Sequence, residues 1–182
     1  MRTALEVLRE KGYERTTVRA IADRAGVPVS TLYTHIGSKE ELFLGLVTPA
    51  IEDAGKRMEA ILASDRPALE KLRAALVGAA TAFDEHYPEL FIYLRDFYPA
   101  LERGDAGARR RYERQWVEIL RESIGSGELR EELDAKMLTY GVLGMLNWMH
   151  QWYRPGGRYS AAEIGEQFAT VIIRGLAAGP PG

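Results

Sequence analysis

Apolar residues recur along this chain with the period of an α-helix almost from end to end. Ala4, Leu5 and Leu8 form a first stripe that stops at Gly12. Val18, Ile21, Ala22 and Ala25 fall at i, i+3, i+4 and i+7. Thr16 or Thr17 can cap the start of that helix, and Gly26 follows where a left-handed C-cap favours glycine. Leu32 and Ile36 continue an apolar face into another short helix, whose first turn suits Pro28 because proline has no N–H to leave unpaired. Ser38-Lys-Glu-Glu41 is a capping box, Ser at N-cap and Glu at N3. It opens a helix over 38–63 with Pro49 inside, where a proline costs about 3 kcal/mol and usually kinks the axis. Further helices are predicted over 67–86, 88–97 (stopped by Pro99), 106–124, 134–152 and 160–177. The turn Gly125-Ser-Gly127 and the loop Arg154-Pro-Gly-Gly157 separate the later ones. No segment alternates well enough to be a strand, and no internal repeat is visible. The pattern predicts an all-α protein of about nine helices.

The stretch from Thr17 to Ile36, TVRAIADRAGVPVSTLYTHI, is the most informative. Two short helices joined by a tight turn at Gly26 match a DNA-reading helix-turn-helix, in which the second helix enters the major groove. Ala22 is small where the two helices should cross closely. Ser30, Thr31, Tyr33, Thr34 and His35 lie between the apolar positions of the second helix and point outward. An ordinary helical corner would carry the same apolar spacing; the stripe before Gly12 and the capping box after Gly37 favour the reader.

The segment from Ala4 to Leu42, ALEVLREKGYERTTVRAIADRAGVPVSTLYTHIGSKEEL, resembles the N-terminal domain of the TetR/AcrR family of transcriptional repressors through KGY, TT, IA, AGV, TLY and SKEEL. The resemblance implies an all-α homodimer that binds a palindromic operator in double-stranded DNA. It implies a helix-turn-helix domain over 1–45 and a ligand-binding and dimerisation domain over 46–182, comprising about nine helices together. It places Thr17 and Arg19 beside the recognition helix, Tyr33, His35 and Lys39 at phosphates, and Val29, Ser30, Thr31 and Thr34 nearest the bases. One departure matters. Many relatives carry Lys or Arg at the position of Val29 or Thr34, whereas this recognition helix has no Arg, Lys, Asn or Gln. Bidentate readout of guanine or adenine is therefore absent from it. Specificity is expected to lean on methyl contacts to thymine, on Arg19 and on DNA shape.

Composition narrows the remaining classes. At 182 residues and 46% hydrophobic, the chain is one large or two small globular domains. It has no cysteine, which removes disulfides and thiolate metal sites. No run approaches a membrane span and the N-terminus lacks a signal-peptide core, so a cytoplasmic location with no membrane partner is expected. The net charge is −2, yet between Arg15 and Lys39 four basic residues (Arg15, Arg19, Arg24, Lys39) stand against one acid, Asp23. The three histidines, His35, His86 and His150, form no HExxH, and GxSxG, P-loop and GxGxxG motifs are absent. Neither an enzyme nor a cofactor is expected.

The last two helices are apolar nearly all round. Gly141, Gly144, Met145, Trp148 and Trp152 form one face of the first, and Leu138, Val142, Leu146 and Met149 another. Such a helix should be buried on two sides, one against its own subunit and one against a two-fold partner. Aromatics cluster in the middle of the chain, including Tyr87 and Phe91, and again from Trp116 onward. They are core or the wall of a ligand cavity, and Asn147, Gln151 and Arg154 form a polar stripe at i, i+4, i+7 that is either solvated or part of that wall. The ending LNWMHQWYRPGGRYSAAEIGEQFATVIIRGL resembles TetR-type regulators of fatty-acid and sterol breakdown that sense acyl-CoA thioesters, through NWxxxWYRPxG. This resemblance implies a small-molecule effector, an acyl-CoA, with Trp148 and Trp152 walling the pocket and Arg154 meeting a phosphate or carboxylate. Tyr87, Phe91, Trp116, Asn147 and Gln151 complete the expected ligand set. A lipophilic drug or aromatic compound is the alternative effector, and a ligand-independent architectural DNA-binding protein is the alternative of another class.

Overall fold

The computed structural model describes residues 2–97 and 106–178; the stop expected at Pro99 lies outside them, as do the side chains of His35, Phe97 and Ala106. The described chain is helical: α1 (Arg2–Arg15), α2 (Val18–Ala25), α3 (Val29–His35), α4 (Lys39–Leu62), α5 (Ala68–Glu85), α6 (Tyr87–Ile92) continuing as a π-helical turn (Tyr93–Phe97), α7 (Ala106–Gly125), α8 (Ala135–Asn147), α9 (Met149–Trp152) and α10 (Ala161–Leu176). Trp148, itself in helical conformation, is all that separates α8 from α9. Counted as one bent helix, they bring the described total to the nine expected. The sole bridge among the described residues joins Leu129 to Ala177 and ties the end of α10 to the turn after α7.

The helix starts follow from their caps. The Ser38 hydroxyl accepts the Glu41 amide, the Asp134 carboxylate accepts the Met137 amide, and Ser160 with Glu163 forms a complete capping box. Pro49 leaves α4 unbroken. The carbonyl it would crowd belongs to Gly45, four residues back, which is exposed and unencumbered by a side chain.

Two cores result. The larger joins α5, α7, α8 and α10 around Leu72, Leu76, Phe83, Trp116, Ile119 and Leu146. Its tightest crossing is at Gly165, where an added Cβ would stand 2.6 Å from the Val77 Cα; only a glycine lets α10 lie this close to α5. The smaller core is built from Ala4, Val7, Leu8, Ile21, Leu42, Phe43, Leu46 and Val47, closed by Ile92 and Tyr93 from α6 and the π-helical turn. The first 45 residues therefore complete their core with residues from the middle of the chain.

The two faces expected of α8 are both present. Val142, Leu146 and Met149 are buried, whereas Met137 is 69% exposed and Trp148 61% exposed. With Tyr140, Gly141 and Gly144 these form one apolar stripe, and Val171 on α10 is also exposed. A Cβ added at Gly141, Gly144 or Gly175 would meet nothing within 4 Å.

Candidate DNA interface and effector cavity

The reader is assembled by local chemistry. Thr17, in extended conformation, caps α2 by accepting the Ala20 amide at 3.1 Å. Gly26 ends α2 at φ 67° and ψ 30°, with its N–H on the Ala22 and Asp23 carbonyls. A Cβ there would meet no neighbour, so it is the left-handed backbone, not space, that selects glycine. Pro28 takes the N-cap position of α3 rather than its first helical residue, which is Val29. Val18, Ile21 and Ala22 are buried, and α1 lies against α2 through Val7 and Leu8.

Thr17, Arg19, Ser30, Thr31, Tyr33 and Thr34 are exposed together on this unit, with Val29 partly so; His35 ends α3 and its side chain is not described. The Thr34 hydroxyl donates to the Ser30 carbonyl at 2.9 Å, which leaves its methyl group and lone pairs to meet a base. Lys39, expected at a phosphate, has another position. Its ammonium donates to the carbonyls of Tyr13 (2.8 Å) and Glu14 (3.4 Å) and sits 4.2 Å from the Tyr13 ring centroid, so it caps the end of α1. Arg24 is paired with Glu10 at 2.9 Å. Arg15 and Arg19 remain as the outward cations of the expected basic footprint.

A cavity of about 100 Å³ lies between α4, α5, α6, α7 and α8. Its walls are mainly apolar, with Ala54, Ala79, Ala82, Phe83, Leu90, Tyr93, Leu143 and Leu146, and carry polar groups from Arg109, Tyr112, Glu113 and Asn147. Burial pushes the Tyr112 hydroxyl up to about 12. The Trp116 indole N–H lies beside it and lowers that value slightly, but makes no well-formed hydrogen bond. The cavity shares Leu94, Glu113, Leu143 and Asn147 with an outer cleft of about 490 Å³, whose other walls include Arg95, Tyr140, Trp148, His150 and Gln151. An apolar chamber thus opens into a polar vestibule.

The expected ligand residues divide. Asn147 lines both spaces, and Trp148 and Gln151 line the vestibule. The others are elsewhere. Trp116 is fully buried in the large core behind Tyr112. Trp152 is half-exposed against Phe168, and Arg154 is exposed with a guanidinium N–H on the neighbouring Tyr153 carbonyl. Tyr87 and Phe91 stack on each other, 5.4 Å between centroids, beside rather than along the chamber. The invisible part of the site was its small residues, since Ala54, Ala79 and Ala82 carry no chemical signal. Within the WYR motif the buried member is Tyr153, whose hydroxyl donates to Asp84 at 2.6 Å; burial and that contact push it up to about 12.

The π-helical turn after α6 clasps the end of α1. Asp96 accepts the Tyr13 amide at 2.8 Å, and Arg95 donates to the Leu8 (3.0 Å) and Arg9 (3.2 Å) carbonyls while pairing with Asp96 at 2.6 and 2.7 Å. Gly12, at φ 77°, breaks α1 beneath this pair and exposes the groups it binds. A residue with a Cβ would be strained there. Arg95 also borders the vestibule and Tyr93 the chamber.

A capped helix-turn-helix carried on a helical domain with an internal cavity defines a DNA-binding regulatory protein. A family model described as bacterial regulatory proteins, tetR family, matches residues 1–46, and one described as tetracyclin repressor-like, C-terminal domain, matches residues 65–176. The chain belongs to the TetR family of bacterial regulators. It is 29% identical over 180 residues to the HTH-type transcriptional repressor KstR2 of Mycobacterium tuberculosis, covering 95% of this chain and 88% of that protein. The TetR family regulator PfmR of Thermus thermophilus superposes with a TM-score of 0.83 at 32% identity, over 97% of each chain. AibR, solved with isovaleryl coenzyme A and operator DNA, shares the fold at a TM-score of 0.74 and 23% identity, over 96% of this chain and 94% of that one. Among the described residues no helix is long and apolar enough to cross a membrane.

Proposed function

We propose that this protein is a dimeric transcriptional repressor that leaves a palindromic operator when an acyl-CoA or a related lipophilic effector enters the α4–α8 cavity. The carrying observation is the double membership of Tyr93: it lines the cavity and is also buried in the core of the reader. An occupant that prefers a different setting of the π-helical turn changes the seat of α1 through Tyr93, Arg95 and Asp96. Such an effector shifts the operator equilibrium by its differential affinity for the two settings and no more. Acyl thioesters suit the space because an apolar tail and a polar, hydrogen-bonding remainder match the chamber and its vestibule. The likeness to KstR2, a repressor, supports the same reading.

Exposure of Met137, Tyr140, Trp148 and Val171, with open glycines between them, supports a two-fold interface built from α8 and α10; Tyr140, Gly144 and Trp148 also wall the vestibule, so in that dimer its mouth borders the partner subunit. The dimer would present two copies of α3 to half-sites about 34–36 Å apart, one turn of B-DNA. The 1–45 and 46–182 units would then act as reader and sensor in the cytoplasm.

The test begins with selection of the operator from random duplexes. Anisotropy titrations follow, with octanoyl-CoA, hexadecanoyl-CoA, free coenzyme A and a panel of lipophilic drugs. A fall of at least tenfold in operator affinity with a thioester supports the proposal. Release by drugs alone transfers the role to that class, and operator binding indifferent to every compound leaves an architectural DNA-binding protein.

A further inference from the structure

We infer that the row of arginines on the outer face of α7, with Lys136 of α8, holds the phosphorylated nucleotide end of the effector. The inference rests on the acyl-CoA reading above and assigns the other half of that ligand. Arg110, Arg114, Val117 and Arg121 lie at i, i+4, i+7 and i+11 on one face of α7, nearly opposite the buried Trp116, Ile119 and Leu120. With Lys136 and Tyr140 they line an open groove of about 1160 Å³. Ordinary ligand pockets occupy roughly 300–1,000 Å³, so charge rather than space decides what binds there.

The charge in this groove is uncompensated. Among the described residues, Arg110, Arg114, Arg121 and Lys136 have no carboxylate oxygen within 4.0 Å. Of the acids beside them, Glu122 is taken by Lys71 at 2.8 Å, and Glu113 and Glu118 pair with none of the four cations. Arg110 and Arg114 stand four residues apart, where like charges destabilise a helix. An anion between them relieves that repulsion, and the guanidinium fork matches phosphate oxygens bidentately. The groove is also continuous with the effector site. Tyr140 and Glu113 border both groove and vestibule, and Arg109 and Glu113 border both groove and chamber. The Glu113 carboxylate at this junction repels phosphate, so the acyl tail goes inward and the nucleotide outward. Coenzyme A ends in a nucleotide with a diphosphate and a further phosphate on its ribose, and Arg154, expected to meet a phosphate, lines none of the three spaces. Because α7 packs mainly on α4, α5 and α8, the row belongs to the sensor and not to the reader.

Calorimetric titration of the DNA-free protein with octanoyl-CoA and with octanoyl-pantetheine, which has the same tail and thioester but no phosphate, tests this. With up to about fivefold from each exposed pair, the parent should bind the CoA thioester roughly tenfold more tightly or better. Arg110→Gln, Arg114→Gln and Arg121→Gln combined should lower octanoyl-CoA affinity about tenfold and leave octanoyl-pantetheine within about twofold. All three side chains are exposed, so the variant keeps its core. Its operator affinity without effector should stay within about threefold of the parent, since screening confines surface charges to about 10 Å. Equal binding of the two thioesters by the parent, an octanoyl-CoA affinity indifferent to the substitutions, or a loss shared equally by both ligands overturns the groove assignment while the acyl-CoA reading stands. A fall in effector-free operator affinity with octanoyl-CoA binding unchanged gives the arginines to DNA and overturns the assignment too. Absence of binding by both thioesters overturns the acyl-CoA reading itself, and this inference with it.

Discussion

Asp96→Ala isolates the link between sensor and reader. The Asp96 carboxylate accepts the Tyr13 amide and the Nε–H and Nη2–H along one edge of the Arg95 guanidinium, and it lines neither the chamber nor the vestibule. A hydrogen bond to a charged group contributes about 1.5–3 kcal/mol. Coupling between two sites in a regulatory protein is typically about 1–3 kcal/mol, or roughly 5–150-fold. The clasp is thus of the same size as the whole effect it would transmit, and its removal should abolish most of it. Operator affinity measured by fluorescence anisotropy, with and without saturating acyl-CoA, should differ by less than about threefold in the variant. Effector affinity in the absence of DNA should stay within about threefold of the parent. By linkage, operator DNA should also lose its effect on effector affinity by the same factor. Asp96→Asn keeps an acceptor for the Tyr13 amide but not the charge, and should fall between. A folded Asp96→Ala protein that responds to effector as fully as the parent refutes the clasp as transmitter.

Three other outcomes follow from the same geometry. Gly165→Ala places a Cβ 2.6 Å from the Val77 Cα, and since neither backbone can yield it should cost about 1–3 kcal/mol and lower the thermal midpoint. Tyr112 and Tyr153 are both held near 12 against an ordinary value of 10. Their raised values leave stability intact below pH 10 and remove up to about 2–3 kcal/mol per tyrosine between pH 10 and about 12. Urea unfolding across that window should show the slope, and Tyr153→Phe should reduce it by about half. Arg19→Ala should weaken operator binding, and a base-by-base operator scan should then show its remaining losses at thymines; a strong loss persisting at a guanine would sink the methyl-based account of specificity.

What could be read from the residues follows from the range of the forces involved. The α2–α3 reader is written in caps and turns, Thr17, Gly26, Pro28 and Ser38, each acting within a few residues, and its apolar stripe has one partner. Trp148 and Trp152 are harder because periodicity says that a residue is apolar without saying what it faces. A side chain toward a cavity, a core or a second subunit gives the same spacing, and the structure turns Trp116 into the core and Trp148 outward. The chamber is legible only in three dimensions, since it exists where Ala54 of α4 faces Ala79 and Ala82 of α5. Lys39, expected at a phosphate, also meets the Tyr13 and Glu14 carbonyls beyond the break of α1 at Gly12, a contact that spacing along the chain does not reveal.

The two connections between sensor and reader have different tasks. One is α4, which runs unbroken from the reader past Pro49 into the large core. Proline removes one hydrogen bond from its ladder, so this is the softest point of an otherwise stiff rod. The other is the π-helical turn, which joins the cavity to the reader core through Tyr93 and the wall of the vestibule to α1 through the short, directional bonds of the Arg95–Asp96 clasp. A rod with one soft turn sets how far the reader can swing, and the clasp sets which position it holds. Pro49→Ala should stiffen the rod without touching the clasp, which reduces the swing and therefore the effector's effect on operator affinity, while effector binding itself is kept. If that substitution leaves both operator affinity and effector response unchanged, the soft turn at Pro49 has no part in the response, and the π-helical turn, through Tyr93 and the clasp, carries the signal.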